Sequence, residues 1–181
     1  MRREELRFTG SGGQGVILGT IIIAEAAFID GKQVVQSQSY GPEARGGMCK
    51  AEAIINESRI HYTKVDVPTL LLSLTQVSFD KYVKKIGDDT VIIVDSEIEV
   101  PAEIAAKHEV YSLPIIESAK EVIKNPMAAN IISVGAVNEA LHIASTKSLE
   151  TAVLNHIPKG TEELNTKAMH LGIQLIKDAR K

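Results

Sequence analysis

The residues most open to a ligand are Gly10-Ser11-Gly12-Gly13-Gln14-Gly15, because Gly10, Gly12 and Gly15 satisfy G-x-G-x-x-G between a strand-like stretch and an apolar helical one. Glycines permit positive φ and let a phosphate approach the backbone. The unpaired N–H groups and dipole of the helix that follows attract an anion. The spacing therefore points to phosphate or pyrophosphate contact at Gly10, Gly12, Gly13, Gln14 and Gly15, with tight strand–helix packing as the alternative. A second cluster, SYGPEARGG from Ser39 to Gly47, sets Arg45 before Gly46 and Gly47. Its planar guanidinium, unobstructed by neighbouring side chains, matches phosphate or carboxylate. The alternative is a turn in which Glu43 and Arg45 face solvent or a partner.

Other chemistries find no residues to carry them. A dinucleotide fold needs an acidic residue at the end of its second strand to bind ribose hydroxyls, and here that strand ends in Gln36, Ser37 and Gln38. NAD is demoted, while FAD or another pyrophosphate-bearing ligand remains. The five histidines are dispersed, without H-E-x-x-H and with none near Cys49 in sequence. His142 and His170 are expected to be structural. Ser11 lies outside any G-x-S-x-G elbow. No catalytic residue, general acid/base pair or metal site is assigned. Asp95-Ser96 either binds a ligand hydroxyl or caps the next segment.

These residues require a particular frame. Leu6 to Thr9 reads as a short strand broken by the glycines, and an apolar helix runs from about Gly15 to Ile29 until Asp30-Gly31 stops it. Gln33 to Gln38 is a second strand. Alternation from Lys50 to Tyr62 around Asn56-Glu57-Ser58 predicts an antiparallel hairpin. Thr69 to Leu74, Val91 to Val94 and Val110 to Leu113 are further strands, and Phe79, Tyr82, Val83 and Ile86 recur at helical spacing. Strands so apolar need helices on both faces. Gly10 to Gly15, Thr75-Gln76 and Asp95-Ser96 then share one rim, where ligands collect in open α/β sheets.

The last third is helical. Pro126 precedes a helix from about Ala128 to Ala144, Ser148 caps another ending at Pro158, and Thr161 caps a third with a stripe of Leu164, Ala168, Leu171, Leu175 and Ala179. The expected fold is a three-layer α/β/α Rossmann-like single domain over residues 1–181, with a mixed, partly parallel sheet.

Composition narrows the class further. In 181 residues, 20 Lys+Arg against 23 Asp+Glu leave a formal charge of −3, without the basic footprint of a nucleic-acid binder or reason to expect a membrane surface. With Cys49 the single cysteine, neither an internal disulfide nor a four-cysteine cluster can form. Arg2 and Arg3 ahead of an apolar stretch imitate a secretion signal, but Glu4 and Glu5 oppose it, and Glu25 interrupts a stretch too short to span a bilayer. A cytoplasmic chain is expected.

GSGGQG and QSQSYGPEARGG, followed in order by LLSLTQVSFDKY, VIIVDS and NIISVGA, resemble the gamma subunit of 2-oxoacid:ferredoxin oxidoreductases over most of the chain. The 36–47 segment is most similar to the 2-oxoglutarate branch. The resemblance implies a complex that converts a 2-oxoacid and coenzyme A to acyl-CoA, carbon dioxide and reduced ferredoxin. It implies thiamine diphosphate with magnesium, and iron–sulfur clusters, on alpha, beta and ferredoxin-like companion subunits, and this chain as a non-catalytic component. Gly87-Asp88-Asp89 is not the G-D-G start of a thiamine site, and Asp66-Val67-Pro68-Thr69 departs from the family's proline–aspartate. A contribution to the coenzyme A site would fall to Gly10–Gly15, Arg45, Gly46 and Gly47. Isolated from its partners, the chain could pair as a homodimer. Two other readings stay open: a free-standing nucleotide-binding module and the small subunit of an indolepyruvate oxidoreductase.

Overall fold

In a computed structural model that describes residues 3–39 and 47–181, one six-stranded sheet has the order β2-β3-β1-β4-β5-β6. β1 is Glu4–Ser11, β2 Gln33–Ser39, β3 Met48–Asn56, β4 Leu70–Ser73, β5 Val91–Asp95 and β6 Val110–Leu113. β1, β4, β5 and β6 run parallel, whereas β3 is antiparallel to both of its neighbours, β1 and β2. The mixed sheet is as expected, but the hairpin within 50–62 is not. β3 is one strand that pairs back onto β2, and residues 57–69 hold no strand. Ala51, Ala53 and Ile55 do alternate onto the buried face, yet Tyr62 is 60% exposed. Alternation reports which face a side chain occupies and is silent about which strand lies beside it.

Helix α1 (Val16–Ile29), α4 (Ile115–Glu121), α5 (Ala129–Leu141), α6 (Thr146–His156) and α7 (Glu162–Ala179) build the larger core on one face. α2 (Gln76–Tyr82) and the short α3 (Ala102–Ala105) cover the other, where Phe79, Tyr82 and Ile104 pack on Leu71, Ile92 and Val94. Helices therefore lie on both faces, as strands such as Leu70–Ser73, buried throughout, require. α1 is apolar because it is enclosed: Ile22, Ile23, Ala26 and Ala27 have no exposed surface. Among the described residues no helix is long and apolar enough to cross a membrane.

The C-terminal helices differ in detail from their sequence reading. α7 buries Asn165, Ala168, Met169, Gly172, Ile173 and Ile176; of the expected stripe only Ala168 is fully inside, and Leu164, Leu171 and Leu175 flank the contact. The reason is a backbone-to-backbone crossing with α5. A Cβ on Gly172 would stand 1.9 Å from the Ile132 carbonyl oxygen, and one on Gly135 would stand 2.1 Å from that of Met169. Glycine, not leucine, marks the buried seam. Ser145 rather than Ser148 caps α6, its Oγ accepting from Ser148 N at 3.2 Å. Ser148 instead donates its hydroxyl to Asp30, whose carboxylate also accepts from Ser145 N at 2.6 Å. Thr161 occupies the cap position of α7, but its hydroxyl donates to the Pro158 carbonyl instead of capping.

Candidate functional site: the glycine turn

β1 continues through Gly10 and Ser11, so the glycines do not break it where expected; the chain turns after Ser11 and enters α1 at Val16. Three contacts fix that turn. Gln14 N donates to Ser11 O at 3.2 Å, Ser11 N donates to Gln14 Oε1 at 2.7 Å, and Gly12 N donates to Gly47 O at 3.0 Å. Gln14 Nε2 also reaches Leu74 O at 3.5 Å, linking the turn to the end of β4. The Gln14 amide is thus a brace for the backbone. It occupies the space a side chain at Gly10 would need, since a Cβ there would lie 2.5 Å from Gln14 Oε1.

Gly13 and Gly15 supply the backbone geometry, with φ of 93° and 72°. Gly13 is exposed, and a Cβ on it would meet nothing within 4 Å. Gly15 is the N-cap of α1; no side chain caps the helix and no acidic residue lies in its first turn. A fourteen-residue helix thus presents its unpaired first-turn amides at the carboxyl end of the sheet without a built-in anion. That arrangement can hold a phosphate or carboxylate by backbone donors alone.

The structure brings Gly10, Gly12, Gly13, Gln14, Gly15 and Gly47 together. Arg45 and Gly46 lie outside the described residues. Thr75-Gln76 and Asp95-Ser96 occupy the same rim, at the ends of β4 and β5, but the polar groups of Thr75, Gln76 and Asp95 are occupied locally. Thr75 caps α2. Gln76 exchanges hydrogen bonds with the backbone of Glu99. Asp95, 1% exposed, accepts from Glu97 N at 3.1 Å and Ile116 N at 2.9 Å, which makes it the anchor of α4. Among the described residues no three His, Cys, Asp or Glu are grouped to hold a metal ion.

Two of the histidines have structural placements, whereas His170, expected to be structural, is exposed on α7. His142 ends α5 in the left-handed conformation, and His156 meets the Glu25 carboxylate between α6 and α1. Burial pushes the Glu25 carboxyl up, but hydrogen bonds from Asn155 and His156 outweigh it and leave the group below the usual glutamate range. One residue at the turn was not singled out in the sequence: Asn130, near the start of α5, lies against Gly15. Its signal was a single amide among the apolar residues of NIISVGA, a segment read only for its apolar character.

The sequence matches the pyruvate ferredoxin/flavodoxin oxidoreductase family over residues 5–175. It is 41% identical over 179 residues to 2-oxoglutarate synthase subunit KorC of Methanocaldococcus jannaschii, covering 97% of this chain and 95% of that protein. The gamma subunit of a keto/oxoacid ferredoxin oxidoreductase from Geobacter sulfurreducens is similar at a TM-score of 0.85 and 39% identity, over 97% of this chain and 99% of that one. A 2-oxoglutarate:ferredoxin oxidoreductase from Magnetococcus marinus, with 2-oxoglutarate, coenzyme A and succinyl-CoA bound, shares the fold at a TM-score of 0.89 and 22% identity. That likeness covers 98% of this chain and 32% of the other. With nearly its whole length matched, the chain belongs to the pyruvate ferredoxin/flavodoxin oxidoreductase family.

Proposed function

We propose that this chain is the gamma subunit of a 2-oxoglutarate:ferredoxin oxidoreductase, an enzyme complex that turns 2-oxoglutarate and coenzyme A into succinyl-CoA, carbon dioxide and reduced ferredoxin. The observation that carries this reading is the end-to-end similarity to a KorC subunit, 41% identical with neither chain extending far beyond the other. The small subunit is the piece that matches, and its residues fit a supporting role. One cysteine cannot ligate an iron–sulfur cluster by itself, and Gly87-Asp88-Asp89 lacks the thiamine pattern. On this reading, thiamine diphosphate with its magnesium and the clusters sit on alpha, beta and ferredoxin-like companions, as the family resemblance implies, in a cytoplasmic complex. This chain contributes assembly and a binding surface to the complex.

For that surface we infer a phosphate of coenzyme A at the glycine turn, with Gly12, Gly13 and Gly15 giving access to the α1 amides and Gly47 and Gln14 holding the turn in shape. Arg45, in the SYGPEARGG stretch of the sequence, would add the charge that backbone donors lack. The uncapped start of α1 and its exposed Gly13 support this reading.

The test is purification of the chain from its native source under anaerobic conditions. Co-elution with subunits bearing thiamine diphosphate and iron–sulfur clusters, and ferredoxin reduction dependent on both 2-oxoglutarate and coenzyme A, is the expected result. Recovery of the chain alone, or turnover confined to an indolepyruvate-type substrate, contradicts it. In the assembled complex, Arg45→Ala is expected to raise the Michaelis constant for coenzyme A by about tenfold or more, as loss of a charged hydrogen bond does. An unchanged constant with assembly intact would make Arg45 a structural or interface residue.

A further inference from the structure

Asn130 is 7% exposed, and its Oδ1 is buried with no hydrogen-bond partner. Buried polar atoms are nearly always paired, so an orphan calls for an explanation. Its position provides one. A Cβ added to Gly15 would stand 2.6 Å from Asn130 Nδ2 and 3.0 Å from both Cβ and Cγ. The amide is therefore packed against the N-cap of α1, beside the first-turn donors, and is carried there by α5, a different element.

Neighbouring groups do not need it. The turn is braced by Gln14, and the other buried polar side chains of α5 are satisfied within the helix and its end: Ser133 Oγ donates to Ala129 O, and Asn138 pairs with both the N–H and the C=O of Ala144. Asn130, at the head of α5, carries a carbonyl oxygen that the protein leaves unsatisfied, on an amide whose Nδ2 lies against Gly15. An aliphatic residue of the same branching would fill the space without the desolvation penalty of an unpaired carbonyl oxygen.

We propose that Asn130 is a ligand-binding residue of the glycine turn. Its Nδ2 donates to the phosphate group held by the start of α1, and Oδ1 accepts from an N–H or O–H of the same ligand as the amide turns about its soft terminal torsion. The ligand class is a phosphate ester that also carries a hydrogen-bond donor, a description coenzyme A satisfies. This inference rests on the assignment of the glycine turn to coenzyme A.

The experiment uses the assembled complex with Asn130→Leu, Asn130→Asp and, as an independent probe of the turn itself, Gly13→Asp. Asn130→Leu is expected to raise the Michaelis constant for coenzyme A about fivefold, to leave that for 2-oxoglutarate unchanged, and to keep or raise the melting temperature. Asn130→Asp, which sets a carboxylate where the donor stood, should raise the coenzyme A constant further. If both Asn130 variants leave that constant unchanged while Gly13→Asp raises it, Asn130 is no ligand contact and the turn assignment stands. If all three leave it unchanged, the turn assignment itself is lost. A lowered melting temperature with an unchanged constant, or failure of both Asn130 variants to assemble, makes the residue structural and overturns the proposal.

Discussion

Gly15 is where backbone geometry and packing meet, because its φ of 72° and its contact with Asn130 independently forbid a side chain. Gly15→Ala is expected to destabilise the chain by about 1–2 kcal/mol from left-handed strain alone, and by more where the methyl meets Asn130. In an Asn130→Ala background the contacts with Nδ2 and Cγ are gone while the 3.0 Å contact with Cβ stays, so the steric part shrinks towards the strain alone. Denaturant midpoints of the single and double variants measure that difference. Asp30 illustrates a second residue-scale effect. The Ser148 hydroxyl, foremost, and the Ser145 N–H and hydroxyl hold its carboxyl below the usual aspartate range. Its folded-state value being depressed, its contribution to stability is full above the ordinary aspartate value of about 3.9 and is lost as the pH falls through its folded value. Unfolding midpoints across the acid range should therefore fall less steeply for Asp30→Asn than for the parent. The glycines were legible because G-x-G-x-x-G between a strand and a helix is a local pattern. Asn130 was not, since what distinguishes it is a contact with a residue 115 positions away.

At the scale of elements, the α5–α7 crossing brings backbone against backbone, and glycine makes it so. Gly172→Ala, with its methyl 1.9 Å from a backbone oxygen of α5, cannot be relieved by turning a side chain. It should cost about 3 kcal/mol or more, at the upper end of overpacking penalties, read from the urea midpoint. Ser145→Ala removes the cap of α6 and should cost about 1 kcal/mol by the same measurement. Most elements could be read from the chain. β6 falls where Val110 to Leu113 predicts it, and α1 ends at the Asp30-Gly31 stop. The misreadings share a cause. Alternation within 50–62 predicts a hairpin there because it does not name the neighbouring strand. Leucine spacing predicts the wrong stripe for α7 because a glycine seam carries no hydrophobic signal. In both, the deciding contact lies far away in sequence.

For the molecule as a whole, the sheet directs four parallel strands to one rim, where the start of α1 has no side-chain cap while Thr75 and Asp95 serve the starts of α2 and α4. On the proposed reading the glycine turn holds coenzyme A and takes no part in the chemistry. Substitutions at this turn are therefore expected to alter the Michaelis constant for coenzyme A while leaving that for 2-oxoglutarate at the parent value, a split that steady-state kinetics of the assembled complex resolves.

The most direct measurement compares Gly13→Asp with Gly13→Asn in that complex. Both side chains tolerate positive φ better than most, both enter open space, and they differ by one charge. If the turn receives a phosphate, the aspartate variant raises the coenzyme A constant about tenfold over the asparagine variant, a gap that narrows with added salt. Equal constants for the two at low salt would contradict an anion at this turn.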